Sequence, residues 1–228
     1  MRSIFITGTD TSVGKTVVTG LLGKYLKDNG VKVTTQKWIQ TGCIDVSEDV
    51  RDHLRLMGES GEDGSMGARM PYILKYPASP HLAAKLDGVK IDVDRIKSAL
   101  DELCCDNDIV LVEGAGGILV PVNEKVLTID IVKDLAMPVI LVAENRVGAI
   151  NQTLLTVEAL KRRDMNLLGI VFNRLSPQGD DTILEDNKHI IEKISGVKVL
   201  GELEYKSCYD NDHGGFGPIG ENIMKAMR

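Results

Sequence analysis

The sequence predicts an α/β fold, a doubly wound and mostly parallel sheet flanked by helices. Three observations point to it. Short apolar runs alternate with longer amphipathic segments, the order that repeated strand–helix–strand units impose. Several of the apolar runs are near-continuous, such as IVLVE at 109–113 and PVILVAE at 138–144, as in strands buried on both faces of a parallel sheet. Most of the motifs described below follow such a run, at the sheet edge where right-handed crossovers gather the strand C-termini and where ligands bind.

Taken in chain order, strands are expected at 3–7, 32–37, 108–113, 138–143, 167–173 and 197–200, each a short apolar run. Helices are expected between them at 14–29, 94–105, 128–135, 149–163 and 181–195. The first helix stops at Gly30, a natural terminator just past the last helical residue. Residues 41–79 read less regularly, and 58–70, rich in Gly, Ser and charge, is expected to be a mobile loop. No repeat, low-complexity tract or dividing linker interrupts the chain. With 228 residues and 43% hydrophobic content, 1–228 is expected to form a single domain with a substantial core.

Composition narrows the function. A formal net charge of -6 argues against a nucleic-acid partner, because phosphate backbones need clustered Lys and Arg. The apolar stretch at the N-terminus is shorter than a secretory signal and runs straight into a motif. No stretch reaches the roughly 18 apolar residues of a membrane span. A cytosolic protein without a membrane partner is therefore the expectation. Cys43, Cys104, Cys105 and Cys208 show no zinc spacing and are expected to be reduced thiols. His53, His81, His189 and His213 show no metal-ligand pairing.

The segment GTDTSVGKT at 8–16 follows the first strand and opens the first helix. It is a variant of the P-loop string GxxxxGK[ST], with five residues rather than four between Gly8 and Gly14. Successive backbone N–H groups and the helix N-terminus attract phosphates. The fold expected is thus P-loop NTPase-like. Candidate ATP contacts are Thr9, Asp10, Ser12, Val13, Gly14, Lys15, Thr16 and Val17. Lys15 would reach the β- and γ-phosphates, and the Thr16 hydroxyl would bind Mg²⁺, which prefers oxygen ligands. A second signal is DIVLVEGAGG at 108–117, an apolar strand that ends on Glu113 before a Gly-rich turn. P-loop proteins often place an acid there for Mg²⁺. Gly114, Gly116 and Gly117 point to backbone running close to a ligand. The plain alternatives are a solvated Lys15 beside a Gly-rich turn and a Glu113 that caps a loop.

Seven blocks in order resemble the dethiobiotin synthetase family. GTDTSVGKT is similar to that family's GTDTxVGKT, KWIQTG at 37–42 to its KPVxTG or KPVxSG, and PASPH at 77–81 to its P-x-SPH. VEGAGG at 112–117 is similar to its magnesium-binding strand end, and GAINQTLLT at 148–156 to its GxINHTLLT. VFNR at 171–174 falls where the family reads adenine with Asn, and LGEL at 200–203 resembles LGxIP without the Pro. The resemblance implies an ATP-dependent carboxylation and ring closure. CO₂ adds to an amine of 7,8-diaminononanoate, ATP phosphorylates the carbamate to a mixed anhydride, and the second amine closes the cyclic urea. Dethiobiotin, ADP and phosphate are the products.

Carried over residue by residue, the resemblance makes Lys37, Lys15 and Thr11 catalytic. Lys15, Lys37 and Mg²⁺ would offset the repulsion between carbamate and γ-phosphate. Thr16, Glu113 and Asp49 would hold Mg²⁺. SEDVRDHLRLMG at 47–58 resembles the family's acid followed by a helix, with Asp52 the competitor to Asp49. Thr11, Lys37, Thr41 and Gly117 would meet the carbamate region. Gly148, Ala149, Ile150 and Asn151 of a neighbouring subunit would receive the substrate carboxylate, which makes a homodimer with shared sites. Asn173, Leu203 and Glu204 would border the base, with Gly116 near the nucleotide. The segment 79–81 shapes the pocket, with no proton transfer assigned to His81.

Trp38, Gln152 and Glu204 depart from the family pattern, the last in place of a Pro near the base. Two rivals share the fold. Partitioning-type ATPases carry KGGxxGK[ST], and here the early loop positions are Thr9, Asp10 and Thr11, without the signature lysine. A cobyrinate-type amidotransferase needs a glutaminase Cys segment, which the sequence does not show.

Overall fold

The computed structural model describes residues 2–60, 65–209 and 215–228. The chain opens with β1 (Ser3–Gly8), α1 (Lys15–Asp28) and β2 (Val33–Lys37). An intermediate stretch follows: β3 (Ile39–Thr41), α2 (Glu48–Met57), α3 (Met66–Arg69), β4 (Tyr72–Leu74) and α4 (Pro80–Asp87). Regular alternation resumes with α5 (Val93–Asp106), β5 (Ile109–Gly117), α6 (Thr128–Asp134), β6 (Val139–Glu144) and α7 (Ala149–Lys161). The chain closes with β7 (Leu167–Asn173), α8 (Asp181–Ser195), β8 (Val199–Leu203) and α9 (Gly217–Ala226).

The main sheet has the order β2-β5-β1-β6-β7-β8, and every pairing in it is parallel. This is the doubly wound α/β fold that the alternation predicts. Alternate residues of β1 feed opposite faces. Phe5 packs with Trp38, Ile96 and Leu100 on one side, while Ile4 and Ile6 pack with Val18, Leu22 and Ile223 on the other. All three β1 side chains are fully buried, so truncating any one to Ala costs about 2–5 kcal/mol. A strand buried on both faces has no polar side to alternate with, which explains its continuous apolar sequence. No helix among the described residues is long and apolar enough to cross a membrane.

Several expected boundaries move, the last strand from 197–200 to Val199–Leu203 among them, and two of the shifts matter at the site. The first helix begins at Lys15 rather than Gly14, which sits before it in the left-handed region with φ 94°. A Cβ there would lie 1.9 Å from Asn173 Nδ2, so the position needs glycine for both reasons. The fifth strand in chain order, β5, does not turn after Glu113. It runs on to Gly117, pairing Gly117 with Gly8 of β1 after a register shift. The glycines make this possible: a Cβ on Gly114 would come within 2.7 Å of the Phe5 ring.

The irregular stretch holds more structure than expected. Ser47 caps α2, its hydroxyl accepting from Val50 N at 3.1 Å, with Glu48 and Asp49 in the first turn. The expected mobile loop at 58–70 contains α3, whose Ala68 and Arg69 are buried; residues 61–64 of that loop lie outside the described residues. A helix of four residues is too short to leave a periodic pattern, and a tertiary contact fixes it. Gln36 Nε2 donates to Ala68 O at 2.8 Å, and Trp38 Nε1 donates to Gln36 Oε1 at 3.0 Å. The indole is buried and packs on Phe5 at 4.9 Å between centroids. Trp38, the departure after Lys37, therefore works as a core residue pinned at its polar end. The C-terminal helix α9, unmarked by any motif, buries Ile219 and Ile223.

Candidate active site

The site is built where β1, β2 and β5 end. The loop after β1 wraps back on itself: Lys15 Nζ donates to Asp10 O at 2.8 Å, and Thr11 N to Asp10 Oδ1 at 2.7 Å. Its base is tied to the sheet twice. Thr9 N donates to Val142 O at 3.0 Å, and Asn173 Nδ2 donates to Val13 O at 3.0 Å.

Lys37 ends β2 and Glu113 lies beside it in register on β5. Pairing in a parallel ladder brings the two side chains to one level, and the charges meet. Lys37 Nζ lies 2.7 Å from Glu113 Oε1, 2.6 Å from Asp49 Oδ2 and 3.1 Å from Gly114 O. Asp49 comes from the first turn of α2. The Thr16 hydroxyl completes the group, 3.1 Å from Asp49 Oδ1 and 3.2 Å from Glu113 Oε1. Asp52 is not part of it. That residue is half exposed and pairs with Arg55 at 3.0 Å.

Burial and charge compete at each group. Burial by itself would raise the Glu113 carboxyl, but the Lys37 charge and a hydrogen bond to His53 outweigh it and hold the acid well below the ordinary carboxylate range. Burial by itself would lower the Lys37 ammonium, but Glu113 and Asp49 reverse that and raise it. Lys15 lacks a carboxylate contact of that kind. Burial pushes it down to about 8, with Glu113 opposing and Lys37 adding to the fall.

These residues line a cavity of about 450 Å³. Thr11, Ser12, Gly14, Lys15, Thr16 and Val17 come to it from the loop and α1, and Lys37, Thr41, Asp49, Glu113 and Gly116 from the other elements. Ile39, Gln40 and Ala115 join them, unmarked in the sequence. A second cavity of about 430 Å³ adjoins through Thr11, Thr41, Ala115 and Gly116 and is walled by Pro77, Ala78, Ser79 and Pro80. The PASPH segment thus reaches the site.

Other expected residues lie elsewhere. Thr9, Asp10 and Val13 support the loop rather than line the cavity, and Gly117 is paired into the sheet. Asn173 is buried, with Nδ2 committed to the loop and Oδ1 left without a hydrogen-bond partner. Leu203 buries its side chain in the core, and Glu204 turns its side chain to solvent. Gly148, Ala149, Ile150 and Asn151 open α7 and line neither cavity.

Sequence reasoning missed two features. His53 is fully buried with Nε2 2.7 Å from Glu113 Oε2; its spacing of four from Asp49 was the available signal, since such pairs share a helix face. A polar network behind the turn before α7 was also missed. Asn145 Nδ2 donates to Glu202 Oε1 at 2.7 Å, Asn187 Nδ2 to Asn145 Oδ1 at 2.9 Å and to Arg146 O at 3.0 Å. Arg174 and Lys188 also pair with Glu202, at 3.1 and 2.9 Å. Nothing in the local pattern joins residues so far apart in sequence.

A family model described as an AAA domain matches residues 2–212. The ATP-dependent dethiobiotin synthetase BioD 2 of Pasteurella multocida is 41% identical over 193 residues, 84% of this chain and 90% of that protein. The corresponding BioD of Chlorobaculum tepidum is 42% identical over 187 residues, covering 82% of this chain and 78% of that protein. That of Anoxybacillus flavithermus is 38% identical over 217 residues, covering 92% and 95%. Among solved structures, the MinD cell division protein of Aquifex aeolicus superposes with a TM-score of 0.60 at 15% identity, covering 100% of this chain and 97% of that one. A ParA family ATPase from Chlorobium tepidum gives 0.58 at 12% identity, covering 100% and 98%. At such identities these two share the fold alone.

Proposed function

The chain belongs to the family of ATP-dependent dethiobiotin synthetases, and from that membership we infer how its own residues carry the reaction. It is an ATP-dependent ligase of biotin biosynthesis. It carboxylates 7,8-diaminononanoate with CO₂ and closes the urea ring of dethiobiotin, releasing ADP and phosphate. The observation that carries the mechanistic reading is the position of Lys37. Its ammonium stands at 2.6 and 2.7 Å from two carboxylates, in the same cavity as Lys15 of the phosphate loop.

The loop N–H groups and Lys15 bind the triphosphate, whose negative charge draws Lys15 away from Asp10 O. The carbamate forms next to it, and the two anions repel. Lys37 and Lys15, which line one cavity, stabilise the charge of the transferring phosphoryl group in a buried setting. Thr11 and Thr41 hold the carbamate and amines by hydrogen bonds from the wall shared with the second cavity. That cavity, walled by Pro77, Ala78 and Val120, suits the hydrocarbon chain of the diamine.

Thr16, Asp49 and Glu113 fit Mg²⁺. They offer oxygen donors only, mutually within hydrogen-bond distance of the Thr16 hydroxyl. When bound there, Mg²⁺ supplies charge neutralisation to the β- and γ-phosphates. Lys37 then exchanges part of its ion pairing with the acids for the anionic substrate. Asn173 Oδ1, buried and unpaired, supports adenine, whose N6 amino group donates a hydrogen bond. Glu204, with its side chain in solvent, leaves that edge free of a buried acid.

The start of α7 receives the substrate carboxylate of a second subunit through free N–H groups and the helix dipole. A homodimer with shared sites follows. Val147 just before that helix and Leu155 midway along it support the reading, exposed at 73% and 58%. The deciding assay supplies ATP, Mg²⁺, bicarbonate and the diamine and measures the product mass. Absence of the ring-closed urea overturns the reading.

A further inference from the structure

His53 has no part in the reaction as described. Its side chain is wholly buried, on α2 four residues after Asp49. Nε2 lies 2.7 Å from Glu113 Oε2, and Nδ1 is buried without a hydrogen-bond partner. The other carboxylate oxygen, Oε1, takes Lys37 at 2.7 Å and Thr16 at 3.2 Å. Hydrocarbon would fill the same space without the desolvation cost of an orphaned ring nitrogen, so packing alone does not account for a histidine here.

We propose that His53 is a positioning residue for Glu113: its Nε2–H fixes Oε2 on the helix side, so that Oε1 alone faces the cation site. The inference rests on the reading of Glu113 as a Mg²⁺ ligand. An ionised carboxylate can only accept, so the shared proton is on Nε2. Mg²⁺ demands near-octahedral geometry, which a carboxylate meets through one oxygen. A Glu113 free to rotate could offer both oxygens to Lys37 and close the site. Holding one oxygen from behind prevents that, in the way that outer partners orient metal ligands generally. One face of α2 thus delivers a ligand, Asp49, and the group that aims the other.

The test compares His53→Leu, which removes the donor, with His53→Gln, which keeps an N–H at a similar reach. Mn²⁺ binding to the protein with ADP is followed by EPR, and the Mg²⁺ concentration for half-maximal activity is measured alongside. His53→Leu should weaken both at least about tenfold, with the diamine KM unchanged, and His53→Gln should recover most of the loss. Leu binding Mn²⁺ as wild type does, or Gln falling as far as Leu, overturns the proposal. Should the Leu variant not fold, ¹⁵N NMR of the wild-type ring decides: an Nε2–H tautomer is expected, and a neutral ring protonated on Nδ1 overturns it. Glu113→Gln separates the two levels of the argument. If it weakens Mn²⁺ binding and His53→Leu does not, only the positioning role fails. If it leaves binding unchanged, the metal role of Glu113 fails and takes this inference with it.

Discussion

The two ends of the site are made differently. At the phosphate end, Lys37, Glu113, Asp49 and Thr16 are linked through contacts of 2.6–3.2 Å, from two strands and two helices of the same chain. At the end proposed to take the substrate tail, α7 opens with Gly148 in the left-handed region at φ 91° and no side-chain cap, and Asn151 faces solvent. The first region is charged, buried and preorganised, so its geometry exists before any ligand arrives. The second has its rigidity behind it, in the Asn145, Asn187 and Glu202 network that holds the turn. The contrast teaches that, in the proposed reaction, one chain can complete the charge-stabilising machinery, while recognition of the substrate tail would be left to an outward-facing helix start.

The largest effect should come from removing charge at the buried end. Lys37→Ala and Lys15→Ala are each expected to lower kcat by at least ~10²-fold, as loss of an electrostatic transition-state contact does. Steady-state rates check this, and unchanged turnover in either variant removes that lysine from the mechanism. Lys37→Ala should also lower the melting temperature, since it strands two carboxylates; breaking a buried pair costs about 3–5 kcal/mol.

Next in size is the contrast between neighbouring acids. Asp49→Asn should raise the Mg²⁺ requirement by about tenfold or more. Asp52→Asn, altering only an exposed pair with Arg55, should change stability by less than about 0.5 kcal/mol and leave the Mg²⁺ titration as it was. Equal effects would erase the distinction.

The pH dependence of nucleotide binding sharpens the comparison further. Lys15 titrates at about 8 in the free protein, below the ordinary lysine value. The triphosphate prefers the charged form, so ATP affinity should fall as pH rises through 8, by up to about tenfold per unit. The linkage for folding has the opposite sign: the unfolded chain holds the proton between pH 8 and the ordinary lysine range, so the strain of the buried charge is relieved as pH rises there. Calorimetric titration from pH 7 to 9 reads the binding term.

The smallest effects belong to the exposed end. Asn151→Ala should raise the diamine KM several-fold, a loss of about 1 kcal/mol, while leaving kcat alone, because it removes a ground-state contact. A pure kcat effect would assign Asn151 another role. Dilution tests the same point: catalysis should decline as subunits separate, while ATP binding at the phosphate end persists.

Much of the fold was legible because buried parallel strands and the helices between them leave long, repeated patterns. β1, β5, β6 and β7 read as apolar runs, and the phosphate loop read as a motif with fixed spacing. The elements between β2 and α5 were not legible in the same way. α3 has four residues and β3 and β4 three each, lengths at which no period can be counted. Their order depends on distant partners, as Ala68 does on Gln36.

By itself the sequence determined the α/β layering, the place of the phosphate loop and the acid that closes the apolar run of β5, because these depend on local periodicity and on residues a few positions apart. It left undecided which carboxylate meets Lys37, the grip of His53 on Glu113 and the hold of Asn173 on the loop. Those contacts join residues 76, 60 and 160 positions apart. Tertiary structure decided them, because only the packed sheet and its helices bring such distant charges to one level and exclude the water that would otherwise screen them.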